Sequence, residues 1–170
     1  MFGFIPHNIE LYKLALIHKS ASLILEDGRA INNERLEFLG DAILDAVVAD
    51  ILFHRFDNRK EGFLTNTRAK IVKRESLNAI ALKIGLDHFI TCSMRVSTHN
   101  SYMYGNALEA LIGAIYLDKG YKCCKHFIET RIIGSIVDLD KVSKEEFNFK
   151  SRLIEWCQKH KIGIEFALIE

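Results

Sequence analysis

Apolar side chains recur at three- and four-residue intervals through residues 9–17, 36–53, 64–86, 108–117 and 127–136, the spacing of helices that each bury one face. The two-residue alternation of a half-buried strand is nearly absent over the same span. Short polar connectors, such as residues 26–29 and 57–62, separate the stretches. The expected fold over residues 1–138 is therefore an all-α helical bundle with modest loops. A single proline and ten scattered glycines leave no linker rich in either. From residue 138 the texture changes: residues 139–146 are charged and read as a linker, 150–159 as a helix, and 162–169 as the one convincing strand. A lone strand has no ladder, so this tail either opens a second folding unit or docks on the first.

The 23 basic and 22 acidic side chains leave a net charge of +1, a balance that does not announce a nucleic-acid partner. Any such case rests on local patterning. Four cysteines without a C-x-x-C spacing suit reduced thiols. Cys123 and Cys124, with His126 nearby, lack two further ligands at finger-like spacing. No apolar stretch is long enough to span a bilayer, and the N-terminus has no basic start followed by a long apolar run. A cytoplasmic protein without membrane association is expected.

The most informative stretch is residues 32–45, NNERLEFLGDAILD. On a helix turning about 100° per residue, Glu34, Glu37, Asp41 and Asp45 share an arc of roughly 80°, opposite Leu36, Leu39, Ile43 and Val47. Like charges at this spacing repel, and no lysine or arginine follows any of the four by four residues. Behind an Asn32 or Asn33 cap, Glu34 and Glu37 suit the positive end of the helix dipole. Asp41 and Asp45 lie beyond its reach, so they form either a solvated face or a site for a hard cation such as Mg²⁺. Phe38 stands beside the acids rather than on the aliphatic side, which suggests burial by a partner. A second helix, residues 104–116, carries Asn106 and Glu109 on one face with Gly113, a small residue that lets another backbone approach.

Residues 33–44, NERLEFLGDAIL, resemble the ribonuclease III signature almost letter for letter. Residues 15–20 (ALIHKS), 61–64 (EGFL) with Arg68-Ala69, and 109–118 (EALIGAIYLD) extend the resemblance in the same order, through about residue 138. The resemblance implies an all-α endonuclease domain that forms a homodimer around double-stranded RNA, with each of two acidic clusters cutting one strand. By motif position, Glu37, Asp41 and Glu109 would be metal ligands, Glu34 and Glu61 supporting acids of the catalytic site, and Phe38 the aromatic knob of the dimer interface. Mg²⁺, with Mn²⁺ able to substitute, would activate water and neutralise the leaving 3′ oxygen. Products would carry 5′ phosphates and short 3′ overhangs, as in processing of ribosomal and messenger RNA precursors.

One position departs from the pattern, because Asn106 stands where the family usually has aspartate. Its carbonyl oxygen can still ligate Mg²⁺ or hold a metal-bound water, with one negative charge fewer. Three readings follow: a natural variant that still cuts, a substitution introduced to disable the site, or a dimer that binds structured RNA without cutting. The first is favoured, since the other acids persist. A metal phosphohydrolase acting on small nucleotides fits the carboxylates but leaves Phe38 unexplained.

Arg68, Lys70, Lys73 and Arg74 are candidates for phosphate contact. Residues 147–170 resemble the first helix and strand of a double-stranded RNA-binding domain, which reads A-form shape when complete. In the full module, Glu155 and Gln158 would touch ribose hydroxyls.

Overall fold

The structure, a computed structural model, describes residues 3–93, 102–144 and 149–167. Helix α1 (Ile9–Ala15) is capped by Asn8, whose side chain accepts from the Glu10 N–H, and a 3₁₀ turn (Lys19–Ala21) follows. A small antiparallel hairpin, β1 (Leu23–Ile24) and β2 (Ala30–Ile31), then leads into α2 (Glu34–Arg55). The expected connector at 26–29 is the loop of this hairpin. Two-residue strands are too short to show alternation, so the pattern left them out. Gly28 takes the left-handed φ of 81° that the turn requires.

Helices α3 (Glu61–Val72) and α4 (Arg74–Lys83) divide what reads in sequence as one apolar run from 64 to 86. Lys73 between them is extended, with ψ of 147°, and breaks the helix without a proline or glycine to mark it. Helix α5 (Met103–Phe127) instead joins part of two expected segments, bending at Gly120, where φ is 78°. It continues through a π-helical segment (Ile128–Ile133) into a final turn, α6 (Gly134–Ile136).

Two further expectations are corrected in the tail. Much of the anticipated linker is helix α7 (Leu139–Lys144). Asp138 starts it by accepting from the Lys141 N–H at 3.0 Å, and Leu139 and Val142 pack against the main core. Helix α8 (Phe149–Lys159) forms as expected. Residues 162–167 form no strand, and 168–170 lie outside the described residues. With no partner strand among the described residues there is no ladder to satisfy the backbone groups.

The α2–α5 pair is the spine of the domain. Leu44, Val47, Val48 and Leu52 of α2 are buried with Leu108, Leu111, Ile112 and Ile115 of α5, and α4 adds Leu77 and Ile80. Each such aliphatic side chain contributes about 1.5–3 kcal/mol when fully buried. A second cluster uses small residues, Ala110 and Ala114, to bring α5 close to Ala15 and Leu36.

Buried Asn33 ties the entry of α2 to α1: its Nδ2 donates to the Ala15 carbonyl at 3.3 Å and its N–H to the Ile17 carbonyl at 2.9 Å. Helix capping falls instead to Asn32, whose Oδ1 accepts from the Glu34 N–H at 3.0 Å. Both asparagines thus fix where the acidic stripe begins. Among the described residues, no helix is long and apolar enough to cross a membrane.

Candidate active site

Where α2 crosses α5, the backbones are in direct contact. A Cβ on Gly40 would stand 1.7 Å from the Glu109 carbonyl oxygen, and one on Gly113 would stand 2.4 Å from that of Leu36. Glycine is required at both positions because no side chain fits between the helices. The crossing sets Glu37 and Asp41 of α2, on either side of Gly40, against the α5 turn that carries Asn106 and Glu109.

These residues line a cavity of about 420 Å³. Glu34 and Phe38 complete its α2 wall, and Val72, Arg74 and Leu77 supply the α3–α4 side, with Tyr102 and Gly105 at the start of α5. Three acids of the signature are therefore brought together with Asn106 and Glu109, from sequence positions more than sixty residues apart.

Burial and crowding shape the electrostatics of the cleft. Burial first, then the charges of Asp41 and Glu37, push the Glu109 carboxyl up to about 7, with Asp45 adding to the rise and Arg74 opposing it. Glu37 is raised by burial and by Glu34, against a hydrogen bond from Asn106 and the charges of Lys19 and Arg74. Asp41 is raised by burial and by Asp45. All three carboxyls are raised first by burial, and neighbouring carboxylates add to the rise.

Asn106 has a definite role here, because its amide donates to Glu37, which an ionised aspartate cannot do. Among the described residues, no three acid, histidine or cysteine side chains converge as a finished metal cage. The donor chemistry nonetheless fits a hard divalent cation: carboxylate and amide oxygens gathered in one cleft.

Other expected site residues are dispersed. Glu61 opens α3 and is exposed, accepting from Thr65 Oγ1 at 2.7 Å. The cavity is touched by Val72 at the opposite end of that helix, about 16 Å along the axis at 1.5 Å per residue. Glu61 therefore does not join the cluster within one chain. Of the four basic candidates, only Arg74 borders the cleft, with its guanidinium 4.9 Å from the centre of the Tyr102 ring. Lys70 donates to the Val142 carbonyl at 3.2 Å and so anchors α7. Lys73 is exposed at the α3–α4 break and Arg68 is half-buried on α3. Gln158 is exposed on α8, while the Glu155 side chain lies outside the described residues. Phe38 is 82% exposed beside the acids.

Three contributors were missed in the sequence. Lys19 stands 3.9 Å from Glu34, and Tyr102 carries Arg74. Asn78 accepts from the Gly105 N–H at 2.7 Å and so holds the first turn of α5. An asparagine inside a helix is a poor helix former, which is the one signal that marked it.

The fold and the cleft together define a class: an all-α domain with an oxygen-donor cleft where its two longest helices cross. A family model described as ribonuclease-III-like matches residues 8–136, and the chain belongs to that family. It is 63% identical over 170 residues to Ribonuclease 3 of Bacteroides thetaiotaomicron, covering all of this chain and 55% of the relative. Identity to Ribonuclease 3 of Bacteroides fragilis is also 63% over 170 residues, covering all of this chain and 59% of that one. The chain thus spans little more than half the length of these relatives. The nuclease domain of ribonuclease III from Campylobacter jejuni, solved in a study of flexibility in its region involved in dimer formation, superposes with a TM-score of 0.69 at 36% identity. That match covers 79% of this chain and 93% of the other.

Proposed function

We propose that this chain is the nuclease domain of a cytoplasmic endoribonuclease that cuts double-stranded RNA as a homodimer. The observation that carries the reading is the meeting of Glu37, Asp41, Asn106 and Glu109 in one cleft at the α2–α5 crossing, in a chain of the ribonuclease-III-like family. Glu37, Asp41 and Glu109 would hold Mg²⁺ or Mn²⁺, with Asn106 contributing its carbonyl oxygen. When bound, the ion supplies an activated water and charge neutralisation at the leaving 3′ oxygen.

The chain's own residues do the rest. Glu34, tied to Lys19 and Asn32, fixes the edge of the acid wall. Asn106 keeps the Glu37 carboxylate oriented by its hydrogen bond. Arg74, held on Tyr102, is placed to meet a phosphate drawn to the cleft and so to position the backbone for in-line attack. Two clefts per dimer would each cut one strand, leaving 5′ phosphates and short 3′ overhangs on ribosomal and messenger RNA precursors. Glu61 supports the site only if dimerisation brings it there, and Glu155 and Gln158 act only in a completed RNA-binding module.

The test is cleavage of end-labelled duplex RNA at low salt with Mg²⁺, Mn²⁺ or EDTA. Cutting with either metal and none with EDTA is expected. Asn106→Asp is expected to strengthen cutting at low metal concentration, since it restores a charge. No cutting by the parent chain, but cutting by Asn106→Asp, would favour the second reading, a binding dimer disabled at Asn106.

Phe38 carries the dimer. Its motif position, with the ring 82% exposed beside the acids, supports that role, and burying it would contribute about 1.5–3 kcal/mol per subunit. Phe38→Ala is expected to weaken self-association at least tenfold by sedimentation equilibrium while leaving the helical circular dichroism unchanged. An unchanged dimer constant would remove Phe38 from the interface.

A further inference from the structure

A separate cavity of about 410 Å³ opens on the side of α5 away from the acid cleft. Leu111, in its floor, follows Glu109 by two residues and so points about 200° away round the helix. The hollow forms because α5 bends at Gly120 and its second half returns along the first, where the Cys124 thiol donates to the Ile112 carbonyl at 3.5 Å. Phe127, near the end of that return, faces Leu111 and the end of α4 across the cavity.

The floor is apolar and the rim is basic. Leu111 and Phe127 are buried, with Ile84 and Ile136 half-buried beside them. Lys83, the last residue of α4, and Arg131, in the π-helical segment, are exposed at the edge. Among the described residues, no acidic side chain lines the cavity and neither cation is in an ion pair or a side-chain hydrogen bond. Glu129, two residues before Arg131, is paired with Lys125. In a chain whose charges balance to +1, two uncompensated cations over an apolar hollow are a local excess.

The backbone that carries Arg131 is also unusual. A π-helical turn is rare and occurs mostly at functional sites, and Arg131 lies inside the one at Ile128–Ile133. Ser135, on the cavity wall, fixes that turn by donating from Oγ to the Thr130 carbonyl at 2.6 Å. The guanidinium is thereby presented from a firmly held segment.

We propose that this cavity binds a small amphipathic anion, with an aliphatic or aromatic body seated on Leu111 and Phe127 and one carboxylate or phosphate head held between Lys83 and Arg131. Its volume falls in the range of roughly 300–1,000 Å³ typical of small-molecule sites, which combine an apolar lining with a few placed polar groups. An arginine fork and a lysine ammonium suit such a head group. Phosphates of an RNA duplex would meet the two cations but leave the apolar floor unfilled, so a free small molecule fits the whole site better than nucleic acid does.

The test is a nuclear magnetic resonance titration of the full chain with isoleucine and leucine methyls labelled. Octanoate is the probe, octanol supplies the same body without the charge, and inorganic phosphate supplies charge without the body. Octanoate is expected to shift the methyls of Ile84, Leu111 and Ile136 saturably, octanol to bind about tenfold or more weakly, and phosphate to leave these methyls unmoved. The Lys83→Ala/Arg131→Ala double variant should bind octanoate about tenfold or more weakly and octanol as the parent does. Octanoate that leaves these methyls unmoved, or moves those of the exposed hairpin residues Leu23 and Ile24 equally, overturns the proposal. Octanol binding as tightly as octanoate also overturns it, as does a folded double variant with parental octanoate affinity. If the double variant does not fold, the comparison of octanoate with octanol on the parent decides. Phosphate that displaces octanoate at equal concentration would make the rim a phosphate-backbone contact and overturn the small-molecule site.

Discussion

Gly40→Ala is expected to destabilise the domain by about 4 kcal/mol or more, at the extreme of single-substitution effects and a large fraction of a stability of roughly 5–15 kcal/mol. The added carbon would lie 1.7 Å from the Glu109 carbonyl oxygen and 2.9 Å from the Gly113 nitrogen. Neither atom belongs to a side chain that can swing away. Relief requires the two longest helices to part by roughly 2 Å to regain ordinary contact distance. That movement opens the densest part of the core, where Leu44 and Val48 pack with Leu108 and Ile112, and close packing leaves no slack to absorb it. The measurement is a urea or thermal melt followed by helical circular dichroism.

Gly62→Ala is the control, since nothing lies within 4 Å of a Cβ there and an exposed helical glycine gains about 0.4–1 kcal/mol on such a change. A Gly40→Ala chain that melts within about 2 °C of the parent would show that the crossing is looser than these contacts demand. Any folded remnant should also lose divalent-metal binding, because the same crossing sets Glu37 and Asp41 opposite Glu109.

This crossing also marks the limit of what the sequence conveys. The run from Glu34 to Asp45 displays its acids at helical spacing, and Gly113 is legible as a place of close approach. What Gly40 touches is not legible, because the contact is made across more than sixty residues of chain. Helix breaks divide the same way. The hairpin loop is marked by Gly28, whereas the break at Lys73 lies inside an unbroken apolar rhythm and is set by α3 packing on α2 while α4 packs on α5. Chemical role is the hardest to read. Asn106 is visible as a missing charge, but its hydrogen bond to Glu37 exists only once α2 and α5 meet. Glu61 belongs to a motif in order along the chain, yet α3 carries it away from the cleft of its own chain.

Glu109→Gln is expected to move activity and stability in opposite directions. Removing one metal ligand and its charge costs several kcal/mol of transition-state stabilisation, so duplex cleavage should fall by about a thousandfold or more. The metal-free fold should gain stability, because the substitution keeps the shape of the side chain and removes a half-buried charge crowded by Asp41 and Glu37. The sign follows from linkage. The carboxyl ionises near its ordinary value of 4.5 in the unfolded chain and near 7 in the folded one, so the unfolded state holds fewer protons between these values. Metal-free parent protein should therefore lose stability relative to Glu109→Gln as pH rises from about 4.5 to about 7, with the gap constant above that range. Paired melts in EDTA across pH 4–8, with cleavage assays in Mg²⁺, read both effects. Loss of stability in Glu109→Gln at neutral pH would mean that the carboxylate is held by favourable contacts rather than by crowding, and retained cleavage would remove Glu109 from the chemistry. If both expectations hold, the acids of the cleft impair the fold of the empty protein and are kept for what they bind.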